Sequence, residues 1–322
     1  MKYILFTGHR KSGTSMFIKL FDGSPYVNNI PIDLSLLYAY FPILKNETSI
    51  EKHLERIKIV LEKSFSKVHG LLLPYAGKKF SYPEFEKYFL DSLEFKKNNR
   101  SNIIKNLCHS WIKVNSLDPS KPILFKETSQ SIFCDEFFDE FQDLKVIHLV
   151  RDPRDNWAAI KAGFEKYYKQ LGESEISSLL SHINRVQVDL RSAIELKKDY
   201  RNNFEIVRFE DLVINTSKTV KVIEDYINIP HDPIHIIPTE IGRNCYGNSH
   251  DGKKFEGVSS ENVDAWRSRI NEVDAMTIEW HLKDLMKYFG YKTCFSGISQ
   301  RKAYSNFYDE YNTAFFYHDS FS

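Results

Sequence analysis

The chain has 322 residues, of which 42% are hydrophobic and 27% are charged. This is a globular balance that excludes a disordered or low-complexity protein. At this length we expect one α/β domain with helical insertions. Lysine plus arginine (44) nearly equals aspartate plus glutamate (43), which leaves a net charge of +1. No overall charge therefore attracts nucleic acid or a membrane surface, and any anion must be bound at a local site.

Cysteine usage and the start of the chain indicate the compartment. The four cysteines form no CxxC pair, so we expect free thiols in a reducing compartment and neither a disulfide framework nor a metal site. The apolar run at residues 3–6 is too short for a signal peptide. No stretch approaches the roughly 20 apolar residues that cross a bilayer. We therefore expect a cytoplasmic protein without a transmembrane segment.

Strands and helices alternate along the chain. Apolar runs predict buried strands at residues 3–6, 123–125 and 146–150, and residues 204–208 are predicted to form another strand. Helical periodicity predicts helices at residues 33–41, 49–66, 83–95, 101–117, 156–164, 175–198 and 219–227, and a last one that ends near Gly290. This alternation favours a doubly wound, mainly parallel α/β sheet with flanking helices. The helices between about 43 and 118 form an insertion in a domain of residues 1–294.

The remaining segment, residues 295–322, is an aromatic-rich tail with nine aromatic side chains among its 28 residues. Disordered tails are poor in aromatic residues. We expect this tail to pack on the body of the protein or on a second copy of the chain in a homo-oligomer.

The loop after the first strand, residues 8–15, is called the anion loop below. Its first six residues have the G-x-x-x-x-G frame of a phosphate-binding loop and lead into a helix. Backbone N–H groups in such a loop form a cradle for an oxyanion. A loop that binds a nucleoside triphosphate has lysine directly after the second glycine, but here Thr14 is at that position and the lysine is Lys11.

A second difference from such enzymes is at the end of the strand at residues 146–150. Triphosphate chemistry uses Mg²⁺, which an aspartate at a strand end helps to hold, but this strand is followed by Arg151. A sulfonate group carries less charge than a terminal phosphate and can be transferred without a metal. The cradle and Lys11 suit that chemistry better than they suit ATP.

Four segments resemble one enzyme family. The anion loop resembles the 5′-phosphosulfate loop of sulfotransferases that use 3′-phosphoadenosine 5′-phosphosulfate (PAPS). Residues 145–155 (KVIHLVRDPRD) resemble their second signature, which binds the 3′-phosphate. Residues 206–212 (IVRFEDL) look like a third recurring segment, and Asn248-Ser249 with Trp266-Arg267 look like the late cofactor loop and the helix after it. These segments span residues 4–290 in the family's order.

The resemblance implies roles for individual residues. Lys11 would contact the bridging oxygen of the leaving phosphate, and Arg151 would hold the 3′-phosphate through bidentate hydrogen bonds. The rest of the loop would hold the 5′-phosphosulfate: Arg10, Ser12, Gly13, Thr14 and Ser15. PAPS would be the co-substrate and 3′-phosphoadenosine 5′-phosphate (PAP) the product, with no metal.

The sequence departs from the family pattern at two positions. Ala159 stands where the family often has a serine on the 3′-phosphate, and Phe209 stands where the third segment often has tyrosine. Basic residues of the late loop are candidates to compensate: Arg243, Lys253 and Lys254.

An acceptor hydroxyl or amine needs a base within hydrogen-bond reach. Asp33 fits best by analogy with a glutamate that some relatives carry about twenty residues past the loop, although it is equally suited to cap a helix. His109 and Glu127 are the alternatives. Lys126, at the end of the strand at 123–125, resembles a lysine that lines the acceptor side and would neutralise the sulfonate.

The sequence therefore predicts a PAPS-dependent sulfotransferase that acts by metal-independent in-line transfer. The acceptor stays open between a carbohydrate and another small metabolite. Two rivals remain: a P-loop nucleotide kinase or phosphotransferase, and a non-catalytic nucleotide-binding protein on the same scaffold.

Overall fold

The computed structural model describes residues 1–32, 34, 49–73, 75–93, 100–169, 174–245 and 254–305. In chain order the strands are β1 (Tyr3–Gly8), β2 (Asn28–Asn29), β3 (Leu72–Leu73), β4 (Lys78–Lys79), β5 (Ile123–Lys126), β6 (Leu144–Val150), β7 (Phe204–Arg208), β8 (Thr239–Glu240) and β9 (Arg243–Asn244).

The helices complete the alternation with the strands. They are α1 (Thr14–Lys19), α2 (Ile50–Phe65), α3 (Tyr82–Ser92), α4 (Arg100–Asn115), α5 (Cys134–Glu140), α6 (Pro153–Lys161), α7 (Glu175–Asp199), α8 (Phe209–Ile214), α9 (Thr216–Ile227), α10 (Trp266–Arg269) and α11 (Glu272–Tyr288). Short 3₁₀ turns lie at Ser66–Val68, Ser131–Phe133 and Pro233–Ile236, and a π-helical turn lies at Phe164–Tyr168.

The central sheet confirms the predicted fold class. Within the described residues it has the strand order β2-β5-β1-β6-β7, and every pair is parallel. The connection after β1 leads to one side of the sheet, towards β2, whereas the connection after β6 leads to the other side, towards β7. A crevice therefore opens between the carboxyl ends of β1 and β6, where ligands bind in doubly wound sheets.

The core lies on both faces of this sheet. All six residues of β1 are buried. Tyr3 and Leu5 pack in a cluster with helices α2–α4, whereas Ile4 and Phe6 pack in a second cluster with α1 and α9. Because both faces are covered here, β1 begins with a continuous apolar run, residues 3–6, without polar alternation.

The described part of the predicted insertion contains three helices, α2–α4. Ser49 and Ser81 cap the first two, each accepting a hydrogen bond from a backbone N–H in the first turn. Stacked rings join the helices, for example Phe65 on Phe85 at a centroid distance of 4.6 Å, and Trp111 of α4 is fully buried beside them. The insertion shares its apolar core with the sheet. The helix predicted at 33–41 lies outside the described residues, apart from Leu34.

The described part of the tail packs on the body. Residues 297–305 are helical, and Gln300 donates from Nε2 to Oε2 of the buried Glu279 at 2.8 Å. Tyr304 stacks on Trp280 of α11. Among the described residues, no helix has the length and apolar character needed to cross a membrane.

Candidate active site

The anion loop follows β1 at the crevice. Gly8 has φ 145°, and a Cβ there would lie 2.3 Å from the carbonyl oxygen of Leu149 in the neighbouring strand β6. Lys11 has φ 67° and Gly13 has φ 93°, so the loop passes through the left-handed region twice before α1 begins. Only a compact turn of this kind brings successive backbone N–H groups to one concave side.

A cavity of about 250 Å³ lies beside the loop. Five loop residues line it: Arg10, Lys11, Gly13, Thr14 and Ser15. Lys126 and Thr128 from the end of β5 and Arg151 from the end of β6 also line it, together with Phe255, Gly257, Ser259, Asn262 and Arg269 from the late part of the chain. Three of the segments singled out in the sequence thus meet at one place: the anion loop, the strand end at Arg151 and, through Phe209, the third segment.

Ser12 is the exception in the loop. Its side chain is 1% exposed, it does not line the cavity, and its Oγ accepts a hydrogen bond from Nδ2 of Asn156 at 3.2 Å. The hydroxyl predicted to hold the phosphosulfate therefore points away from the cavity, towards α6.

Arg151 joins the loop to the late part of the chain. It donates from Nη1 to the carbonyl oxygen of Lys11 and from Nη2 to that of Asn262, both at 2.8 Å. Its guanidinium lies 4.5 Å from the ring centroid of Phe209. Within the described residues its buried Nε–H has no acceptor. Burial lowers the pKa of Arg151, which nearby Asp155 and other carboxylates raise, and the arginine remains a cation.

The rest of the second signature is scaffolding. Asp152 caps α6 by accepting from the backbone N–H of Arg154 at 2.9 Å. Arg154 is 2% exposed and pairs with Asp152 and Glu279, each at 2.6 Å. Glu210 accepts from the backbone N–H of Asp152 at 2.9 Å, which ties the third segment to the second. The first arginine of the signature faces the cavity, while the second is buried in an ion-pair network.

Lys126 and Glu127 face different surroundings because successive residues at a strand end point in opposite directions. Lys126 is 2% exposed, lines the cavity and donates from Nζ to Oγ of Ser15 at 3.3 Å. Glu127 is fully buried and does not line the cavity.

Three other predicted residues lie elsewhere. His109 is exposed on α4, and its Nε2 contacts the hydroxyl of Tyr3 at 3.2 Å. Tyr3 begins β1, so His109 is at the amino end of the sheet, opposite the loop, and cannot serve as the base there. Arg243 in β9 and Lys254 are exposed and do not line the cavity. Asp33 and Lys253 lie outside the described residues.

Comparison with known proteins agrees with this geometry. A profile of the sulfotransferase family matches residues 4–233. The chain belongs to the sulfotransferase family.

The curated relatives of this sulfotransferase include carbohydrate sulfotransferase 3 of Homo sapiens, 26% identical over 165 residues, and that of Tetronarce californica, 23% identical over 166 residues. Each match covers 47% of this chain and 34% or 36% of the relative, so the match spans about a third of the length of those proteins.

Two solved structures share the fold of this sulfotransferase. The sulfotransferase domain of the Synechococcus PCC 7002 olefin synthase is 17% identical, with a TM-score of 0.57 over 90% of this chain and 94% of that one. The sulfotransferase domain from the curacin biosynthetic pathway is 13% identical, with a TM-score of 0.53 over 91% of this chain and 99% of that one.

Sequence reasoning missed Arg269, which brings a further cation to the cavity of this sulfotransferase. It lies on α10, one turn after Trp266. The only signal was its position two residues after the Trp266-Arg267 pair, which resembles the family's late helix.

Residue 13 has two reasons to be glycine: its left-handed backbone and the ring of Phe209, which lies where a side chain would be. A Cβ at Gly13 would lie 2.5 Å and 2.7 Å from two ring carbons of Phe209. Gly77 is a matched control, since its φ is 63° but no atom lies within 4 Å of its added Cβ. We expect Gly77→Ala to lower the free energy of unfolding by about 1 kcal/mol, and Gly13→Ala by about 3 kcal/mol because a clash adds to the strain. Equal losses in urea denaturation would contradict this account.

His9 predicts a pH dependence of stability. Burial lowers its pKa from 6.5 to about 4, against an opposing effect of Asp189, while Arg10 lowers it further. Between pH 6.5 and pH 4, His9 is therefore protonated in the unfolded chain but neutral in the folded chain. The free energy of unfolding falls as the pH drops through this range. Between about pH 7 and about pH 5, the free energy of unfolding should fall by about 2 kcal/mol more in the wild type than in His9→Asn, as measured by urea denaturation. Parallel pH profiles for the two proteins would refute the assignment.

Proposed function

We propose that this sulfotransferase moves the sulfonate of PAPS to a hydroxyl or amine of an acceptor. The observation that carries the proposal is that Lys11 and Arg151 line one cavity at the crevice between β1 and β6. One cation stands in a loop built for an oxyanion, and the other stands at a strand end, where a second anionic group can be bound.

The residues present fit PAPS. The loop N–H groups with Lys11, Thr14 and Ser15 would hold the 5′-phosphosulfate. The Nε–H of Arg151, which has no acceptor within the described residues, would donate to the 3′-phosphate, and Arg269 would add charge there. The apolar part of the lining would contact the adenine: Phe209, Val213, Pro238 and Phe255.

When bound, PAPS supplies an activated sulfonate. Lys11 would neutralise the charge that develops on the leaving phosphate oxygen, and Lys126 would stabilise the sulfonate oxygens from the acceptor side. The partly buried Ser15–Lys126 contact supports this placement, because it holds the lysine amine beside the loop. For the base we propose Asp33, since His109 and Glu127 do not reach the cavity. β2 runs parallel to β5 and β1, so the chain that leaves Asn29 is directed towards the edge of the sheet where the loop lies, and Asp33 follows Asn29 by four residues.

For the acceptor we propose a carbohydrate hydroxyl. The support is the likeness to carbohydrate sulfotransferase 3 over nearly half of the chain.

The experiment that tests the proposal is calorimetric titration with PAP in the absence of Mg²⁺, with ADP as the control. Metal-independent binding that requires the 3′-phosphate would support it. A preference for ADP with Mg²⁺ would favour a phosphotransferase, which the Arg151 side chain at the end of β6 already speaks against.

Ala159 offers a gain-of-affinity test. It lines the cavity from α6, at the position where the family often has serine. We expect Ala159→Ser to bind PAP about fivefold more tightly, through one added hydrogen bond to the 3′-phosphate. Its affinity for ADP should not change. If PAP affinity stays constant as well, the 3′-phosphate does not lie against α6.

A further inference from the structure

Behind the anion loop, the side chain of Asn156 contacts two loop residues at once. Its Oδ1 lies 2.9 Å from Nδ1 of His9, and its Nδ2 donates to Oγ of Ser12 at 3.2 Å. The three side chains are at most 3% exposed, and none of them lines the cavity. This group is called the clamp below.

The chemistry of the amide fixes the proton on the histidine. Because Nδ2 of Asn156 is turned to Ser12, its Oδ1 faces His9 and can only accept. His9 must then carry hydrogen on Nδ1. Burial lowers the pKa of His9 to about 4, so at neutral pH the ring is uncharged with Nδ1 as its donor.

The clamp encloses the tip of the loop. His9 and Ser12 flank Arg10 and Lys11, and the backbone N–H of Ser12 donates to the carbonyl oxygen of His9 at 3.1 Å. Lys11 has a left-handed backbone although it is not glycine. A residue holds that conformation only where its surroundings impose it. Here the clamp and the bond from Arg151 to the carbonyl oxygen of Lys11 impose it from two sides.

We propose that Asn156 and His9 are positioning residues that hold the anion loop in the shape that binds the 5′-phosphate end of the nucleotide. This role rests on the proposed function. The two residues act through Lys11 and the loop N–H groups, since they do not reach the cavity themselves.

The test compares PAP with adenosine 3′-phosphate, which lacks the 5′-phosphate, by calorimetry on the full chain. Asn156→Leu keeps the shape of the side chain and removes both hydrogen bonds. We expect this variant to bind PAP about tenfold more weakly than the wild type, and to bind adenosine 3′-phosphate less than about twofold more weakly. Asn115→Leu is the matched control: Asn115 is also buried, but it bonds to the carbonyl oxygen of Trp111 in its own helix. It should change neither affinity.

Two variants of His9 test the same contact while keeping a polar side chain at that position. The amide nitrogen of asparagine takes the place of a histidine Nδ1, and that of glutamine takes the place of Nε2. His9→Asn should therefore keep PAP affinity within about threefold, while His9→Gln should lose as much as Asn156→Leu. Nitrogen-detected spectra of the histidine rings should show hydrogen on Nδ1 of His9 in the wild type and on Nε2 in Asn156→Leu.

Three results would overturn the inference: normal PAP affinity in Asn156→Leu, equal weakening of both nucleotides, or equal affinities in the two His9 variants. If the wild type binds no PAP, the proposed function fails. The clamp is then tested by the position of the hydrogen on the His9 ring. Hydrogen on Nδ1 that moves to Nε2 in Asn156→Leu would support the clamp, and hydrogen on Nε2 in the wild type would refute it.

Discussion

Lys11→Ala should lower the turnover of sulfonate transfer about 100- to 1,000-fold, the cost of removing one preorganised donor from a developing oxyanion. The fold should persist, because the side chain is only half-buried and the contact from Arg151 is to the backbone carbonyl of residue 11. Transfer from radiolabelled PAPS to an acceptor found by screening measures the change.

PAP affinity and thermal unfolding of the same variant provide the controls. PAP affinity should fall far less than turnover, since the loop N–H groups remain, and the melting temperature should stay close to that of the wild type. Turnover equal to that of the wild type would remove Lys11 from the reaction.

Arg151→Ala should weaken the binding of PAP about 100-fold, because it removes both the hydrogen bond from Nε to the 3′-phosphate and the guanidinium charge beside that group. The binding of ADP, which has no 3′-phosphate, should weaken far less, since it loses only the support that Arg151 gives to the loop. Arg151→Lys should be intermediate, because lysine keeps the charge but not the planar fork. Calorimetry with both nucleotides measures the difference.

Arg267→Ala is the matched control for that experiment. Arg267 is 54% exposed and does not line the cavity, and its contacts are with Asp264, Cys294 and Trp266, so its loss should change neither affinity. Arg151→Ala also removes the bonds to the carbonyl oxygens of Lys11 and Asn262, and its folding should be verified first. If Arg151→Ala weakens PAP and ADP equally, the arginine supports the loop and does not bind the 3′-phosphate.

Much of the fold could be predicted because its signals are local. The apolar runs at Tyr3, Ile123 and Val146 belong to buried parallel strands, and the strand predicted at Phe204 is β7, the last in the described strand order. Strand β2 could not be predicted in the same way. It consists of two asparagines, and its place in the sheet depends on pairing with β5, a contact between residues about 95 positions apart.

The candidate site was predictable where a motif places a residue at a strand end, as at Arg151. The direction of a loop side chain was not predictable, since no feature of the motif indicates that Oγ of Ser12 contacts Asn156 and does not face the cavity. A periodic helix also does not reveal which end of the sheet it reaches, and His109 was misplaced for that reason. Arg269 belongs to no phosphate-binding motif, and only the path of the late chain brings it to the cavity.

The ring of Phe209 touches both halves of the proposed nucleotide site, Gly13 on one side and the guanidinium of Arg151 on the other. It therefore acts as a spacer that fixes the distance between the two anion-binding centres. Tyrosine would preserve that spacing, whereas leucine would relax it at both ends. The contributions of the two phosphates to affinity should then depend on each other. The change in binding free energy of a double variant at Gly13 and Arg151 should therefore differ from the sum of the changes in the two single variants.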